Sequence, residues 1–273
     1  MRTFRSQLAD RLPSSRTPRR WIYVPYDQLS SDIGPLARWK PSDCGIILVE
    51  SPWKAQRRPY HKRKLALVLA NMRHFALEQA ERGVDVRYVV HDGPYREALA
   101  RVAQDVGPIV CMEPAERELR NDLEPLVSSG TLAFENHEGW LTARSDFEAL
   151  GRPPWRMDRF YKNVRKRLGV LMDGNEPVGG AWSFDRDNRK PWKGTPPAPT
   201  PPTFAIDAIK LEVGELIETR FAHHPGALDL ETLPATAADA SRALDHAMEH
   251  CMASFGPFED AMSIESMELF HTR

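Results

Sequence analysis

The stretch Gly45–Val90, GIILVESPWKAQRRPYHKRKLALVLANMRHFALEQAERGVDVRYVV, holds an apolar run, a basic interval, a long helical pattern and a second apolar run. GIILVE, Gly45 to Glu50, is apolar on both faces, as a strand inside a parallel sheet is. From His61 onward, Leu65, Val68, Leu69, Met72, Phe75 and Ala76 recur at helical spacing until Gly83, a residue suited to stop a helix. VDVRYVV, Val84 to Val90, then reads as another strand. Strand, helix and strand in that order make a parallel crossover, which is right-handed in nearly all sheets.

The same alternation extends in both directions. Trp21 to Val24 give a short strand, and YDQLSSDIG from Tyr26 gives a polar turn. REALARVAQ from Arg96 is a helix, GPIVCM a strand reaching Met112, ERELRNDLEPLVSS from Glu116 a helix and TLAFEN from Thr131 a last strand. Residues 20–150 are therefore expected to form an α/β unit with an open parallel sheet and flanking helices. Residues 1–19, basic and rich in hydroxyl side chains, read as a flexible arm.

Beyond residue 150 the pattern changes. WRMDRFYKNVRKRLG is a basic amphipathic helix, with Met157, Phe160, Tyr161, Val164 and Leu168 on one face. LMDGNEPVGGAWSFDRDNRKPWKGTPPAPTPPT follows, with six prolines from Pro191 to Pro202, so residues 151–204 are expected to be that helix and an extended connector. Within it, Gly179 and Gly180 suit positive φ or close backbone approach, and Trp182 and Phe184 are candidate anchors. Residues 205–273 read as helical: AIDAIKLEVGELIETRF, then a stripe of Leu244, Ala247, Met248, Cys251, Met252 and Phe255.

Composition excludes several classes. The 273 residues are 41% apolar, enough for a packed core. Lysine and arginine number 37 against 38 acidic residues, so any polyanion site is local rather than global. Cys44, Cys111 and Cys251 are widely spaced and form no CxxC pair, which argues against a zinc knuckle or disulfide scaffold and points to a reducing compartment. No apolar run has the length of a membrane span, and the polar N-terminus lacks a secretory h-region, so a cytoplasmic protein without a membrane partner is expected.

Candidate binding residues cluster after the first two strands. Asp27 and Gln28 follow the first strand and Glu50 ends the second, at the edge where α/β sheets bind ligands; they could equally cap a turn or a helix. No GxGxxG follows either strand and no GxxxxGK[ST] is present. KAQRRPYHKRK, Lys54 to Lys64, carries six cations, three of which crowd a helix N-terminus where they oppose its dipole. An anionic partner or an acidic neighbour would offset that; the alternatives are a solvated face and phosphate contact. Arg156 to Arg167 is a second basic track that could position a nucleic-acid backbone. His223 and His224 have no acid-rich ligand spacing, and no serine or cysteine has a nucleophile's setting.

YDQLS after the first strand, GIILVES, HKRKLALVLANMRHFA, MDGNEPVGGAWSFDRDNR and FGPFEDAM together resemble the photolyase-related branch of the cryptochrome and photolyase family, in particular its bacterial iron–sulfur members. The resemblance runs from about Arg20 to the last residue. It implies a Rossmann-like α/β domain carrying a 6,7-dimethyl-8-ribityllumazine antenna, then a connector and a helical domain with FAD and a [4Fe–4S] cluster. The resemblance further implies that light-excited reduced flavin repairs pyrimidine lesions in DNA.

Carried over, the resemblance assigns lumazine contacts to Asp27, Gln28 and Glu50. Val49 stands where relatives can have cysteine, and Lys54 where an acidic chromophore contact occurs; a lysine cannot accept a hydrogen bond. It also implies contact with damaged DNA, for which Arg57, Arg58, Lys62, Arg63, Lys64, Arg159, Lys162 and Arg165 are the candidates. Family members extend to about twice this length, so residues 205–273 are expected to be the start of the flavin domain. The flavin and cluster ligands would lie outside this sequence, or on a separately encoded flavin domain that this chain docks. The alternative is a stand-alone chromophore- or partner-binding module.

Overall fold

The computed structural model describes residues 2–13, 18–264 and 269–270. They divide into two compact units: one contains the residues up to Glu138 together with Pro202–Ala243, the other Gly139–Pro201 and the residues from Leu244.

The first unit is built on five parallel strands: β1 (Arg20–Tyr23), β2 (Cys44–Glu50), β3 (Asp85–Val90), β4 (Ile109–Met112) and β5 (Leu132–Glu135), in the order β3-β2-β1-β4-β5. Its order reverses between β1 and β4, the doubly wound arrangement whose ligand crevice lies at the carboxyl ends of the strands. All seven residues of β2 are buried, as its two-sided apolar pattern requires. Gly45 in β2 lies under its cross-strand neighbour Trp21; a Cβ there would fall 2.6 Å from the indole ring, so only glycine leaves room for that packing.

Alternating side chains of each strand feed two cores. On one face Ile22, Val24, Ile46, Leu48 and Val86 pack with α1 (Phe4–Arg11), α4 (Lys62–Glu81) and α9 (Ala208–Arg220). On the other, Tyr23, Ile47, Val49, Ile109 and Leu132 pack with α5 (Tyr95–Val106) and α6 (Arg117–Ser128). The short helices α2 (Gly34–Arg38) and α3 (Trp53–Arg57) follow β1 and β2. In place of a frayed arm, Phe4–Arg11 form a helix because Thr3 caps it and its Phe4 and Leu8 find apolar cover. The segment Pro202–Ala243 groups with the sheet rather than apart from it: Ile209, Val213 and Ile217 of α9 join the same core as α4.

In the second unit α7 (Arg144–Glu148) packs on α8 (Met157–Leu168), where Phe147 and Phe160 stack with centroids 3.9 Å apart. Tyr161 is exposed. The connector is not wholly extended: β6 (Met172–Asp173) and β7 (Glu176–Pro177) make a small antiparallel hairpin. Gly179 and Gly180 have φ of 80° and 74°, and Trp182 lies beside Lys162, Arg165 and Lys166 of α8. Arg189 pairs with Asp185 and Asp260 rather than reaching the basic helix, and Asn188 Nδ2 donates to Glu259 at 2.6 Å. The helical pattern after residue 236 is realised as α10 (Ala237–His246), a π turn over Ala247–Cys251 and α11 (Met252–Phe255). Of the expected stripe Cys251 is buried, whereas Leu244, Met248, Met252 and Phe255 are exposed.

Candidate functional site

Parallel strands place their carboxyl ends on one edge, and the turns leaving β1, β2 and β4 bring Tyr26, Lys54 and Glu116 together there. Lys54, in α3, is nine-tenths buried; its Nζ donates to Tyr26 Oη at 2.7 Å and to Glu116 Oε2, and Tyr26 Oη donates to the same carboxylate oxygen. Burial disfavours the Glu116 charge, but the Lys54 and Tyr26 hydrogen bonds outweigh it and hold the carboxyl below the ordinary glutamate value. Burial, and then the bond to Glu116, push the Tyr26 phenol well above its usual value, so it stays a donor.

This polar group borders a partly open cavity of about 180 Å³. Its walls are mostly apolar: Leu65, Val68, Leu69 and Met72 from α4, with Leu216 and Phe221 from α9 and its end. An apolar slot with a few fixed polar groups at one corner is the usual form of a small-ligand site. Lys54 keeps a third N–H to donate and Glu116 a second carboxylate oxygen to accept, while Tyr26 spends its one O–H on fixing Glu116, a set able to orient a ring that carries a carbonyl and a donor group.

The residues named from the sequence do not all meet here. Glu50 borders the cavity, but its carboxylate receives Arg73 Nε at 3.1 Å, Arg73 Nη2 at 3.0 Å and Tyr88 Oη at 2.5 Å. Gln28 is buried and donates its amide to Met112 O at 3.0 Å, tying the turn after β1 to the end of β4 beside a separate cavity of about 10 Å³. Asp27 is exposed and does not line the larger cavity, although desolvation raises its carboxyl above the usual range. Tyr26 and Glu116 were not singled out from the sequence; their signal was position, each directly after a strand at the shared edge.

The basic candidates are similarly divided. Lys62 pairs with Glu218 at 2.8 Å, the acidic neighbour that a crowded helix start requires, and Arg57 and Arg58 share Glu118. Lys64 lies over the Tyr60 ring, and Arg63 caps nothing but donates its backbone N–H to His61 Nδ1. Arg165 is buried, its guanidinium donating to Val170 O at 3.2 Å, Leu171 O at 2.5 Å and Tyr161 Oη at 3.2 Å, which makes it an internal anchor. Arg159 is exposed and Lys162 flanks Trp182. Among the described residues no three His, Cys, Asp or Glu side chains converge as a metal site, and no helix is long and apolar enough to cross a membrane.

Comparison with known proteins agrees with this architecture. Residues 22–232 match the family model of the deoxyribodipyrimidine photo-lyase-related proteins. A (6-4) photolyase of Agrobacterium fabrum is 32% identical over 257 residues, covering 90% of this chain and 51% of the relative, so the chain spans about half of that photolyase's length. An uncharacterized protein of Acanthamoeba polyphaga mimivirus is 23% identical over 181 residues, 62% of this chain and 87% of that protein.

Proposed function

Because this chain belongs to the deoxyribodipyrimidine photo-lyase-related family, we propose that it is the light-harvesting α/β portion of a photolyase-type protein. The observation that carries this reading is the apolar cavity at the carboxyl edge of the sheet, closed at one corner by Lys54, Tyr26 and Glu116. A flat chromophore such as 6,7-dimethyl-8-ribityllumazine suits this lining: its ring would lie against Val68, Leu69 and Phe221, and a ring carbonyl would face Lys54. When bound, such a ring supplies visible-light absorption. The chain's own residues bind and orient it, exclude water from its faces and keep Tyr26 protonated as the donor that fixes Glu116.

The proposed place of this module in the whole protein is beside a flavin domain, whose FAD and [4Fe–4S] cluster are assigned to no residue of this chain, in a system that repairs photolesions in DNA. The exposed cations Arg57 and Arg58 and the half-buried Arg63 of the first unit, with the exposed Arg159 of the second, are the proposed backbone contacts.

Titration of the purified chain with 6,7-dimethyl-8-ribityllumazine, followed by ligand fluorescence, tests the cavity reading. Saturable binding that is lost in Leu69→Trp, which fills the slot, is the expected result. No saturable binding, or binding indifferent to that substitution, sinks it.

A further inference from the structure

A second cleft lies on the same carboxyl edge, toward α5 and α6. It has a volume of about 480 Å³ and is lined by Trp53, Arg57, Arg96, Arg117 and Asn121 together with two acidic side chains. The sequence alternation explains why three guanidinium groups meet: Arg57 ends the helix after β2, Arg96 is in the first turn of the helix after β3, and Arg117 opens the helix after β4. Both α5 and α6 are 12 residues long and present their N-terminal ends to this region, where partial positive charge already favours an anion and disfavours arginine.

The acids present neutralise only part of that charge. Asp122, with a side chain only 1% exposed, accepts from Arg96 Nη1 at 2.6 Å and from the Arg96 backbone N–H at 3.1 Å, so it is spent fixing Arg96 and the α5 terminus. Glu118 is shared between Arg57 and Arg58. Arg117 has no acidic partner among the described residues and is exposed. Arg57 is held in place by stacking, its guanidinium 4.7 Å from the Trp53 ring centroid, and Trp53 rests edge-on against Tyr95. Arg57 and Arg96 are thus oriented before an anion arrives.

We propose that this cleft binds a phosphate group, with Arg57, Arg96 and Arg117 as its donors and Asn121 at its rim. The chromophore cavity is not involved. Phosphate of two sources has this chemistry, a free nucleotide or the backbone of DNA, and the site's test separates them.

Calorimetric titration of the chain with inorganic pyrophosphate and with ADP is one arm, and fluorescence anisotropy with a labelled duplex 12-mer across a salt series is the other. Each is repeated with Arg117→Gln, a surface change that leaves the fold intact by circular dichroism. Small-ligand binding weakened about tenfold by Arg117→Gln identifies a nucleotide site. DNA binding whose salt slope falls by about one in that variant, without pyrophosphate binding, identifies a backbone site. Absence of both, or binding unaffected by Arg117→Gln, overturns the proposal. Leu69→Trp leaves this binding unchanged even where it abolishes chromophore uptake, so the two readings fail separately.

Discussion

The Arg73 guanidinium clasps the Glu50 carboxylate with two parallel hydrogen bonds, Nε to Oε2 at 3.1 Å and Nη2 to Oε1 at 3.0 Å. Both side chains are more than nine-tenths buried, and Arg73 Nη1 also reaches Glu212 of α9 at 3.0 Å. Glu50 therefore joins β2 to α4 and, through Arg73, to α9. Replacing Glu50 by Ala leaves a buried guanidinium short of its main partner and is expected to cost about 3–5 kcal/mol in urea unfolding. Glu50→Leu combined with Arg73→Met, which removes both charges, is expected to cost much less.

The Lys54–Glu116 pair gives the cavity a pH signature. Glu116 is depressed in the folded chain, so its stabilising contribution is present above about pH 4.3, the ordinary glutamate value, and is lost as pH falls through its lowered folded value. Urea midpoints of the native chain and of Glu116→Gln should differ at pH 7 and converge toward pH 3. A gap that stays constant with pH would show that the carboxylate charge is not what Lys54 stabilises.

Lys210 is only 1% exposed, and its Nζ has no hydrogen-bond partner among the described residues, lying 5.7 Å from the Phe204 ring centroid. Desolvation lowers its ammonium below the ordinary lysine value, against the pull of Asp239 and Asp207. Below the folded value both states are charged and the fold bears the burial cost. As pH rises from the folded to the unfolded value, only the unfolded chain holds the proton, and stability increases. Lys210→Met is expected to stabilise the chain at pH 7 by about 1–3 kcal/mol and to abolish that alkaline rise, measured by urea unfolding between pH 7 and 10.

Trp182 sits among three cations of α8, with Arg165 Cζ 5.3 Å, Lys166 Nζ 5.4 Å and Lys162 Nζ 5.8 Å from its ring centroid. At about 0.5–1 kcal/mol per contact, Trp182→Ala should speed amide hydrogen exchange across Met157–Leu168, and Trp182→Phe should preserve part of the protection. Unchanged exchange in the alanine variant would mean that the ring does not hold α8.

The sheet was legible because its signals are local. GIILVE is apolar on both sides only because it lies inside a parallel sheet, and the helix beginning after His61 announced itself through Leu65, Val68, Leu69 and Met72 before ending near Gly83. The candidate site was legible only in its location. Gln28 and Glu50 do sit at the carboxyl edge, but their hydrogen-bonding partners, Met112 and Arg73, are 84 and 23 residues away in the chain and leave no trace in spacing. Lys54 could be read as a departure from an acidic position, whereas its pairing with Glu116 required β4 to be placed beside β1. Arg165 looked like one more cation on a basic helix, and only the fold of the following turn gave it the carbonyls of Val170 and Leu171.

The sequence by itself determined the α/β alternation, the edge at which ligands collect and the signature that marks the family, because periodicity and strand-end position act over a few residues. Tertiary structure decided which polar groups are already satisfied and which still face a cavity. That division depends on contacts between distant segments, and on the balance between desolvation and pairing once they meet.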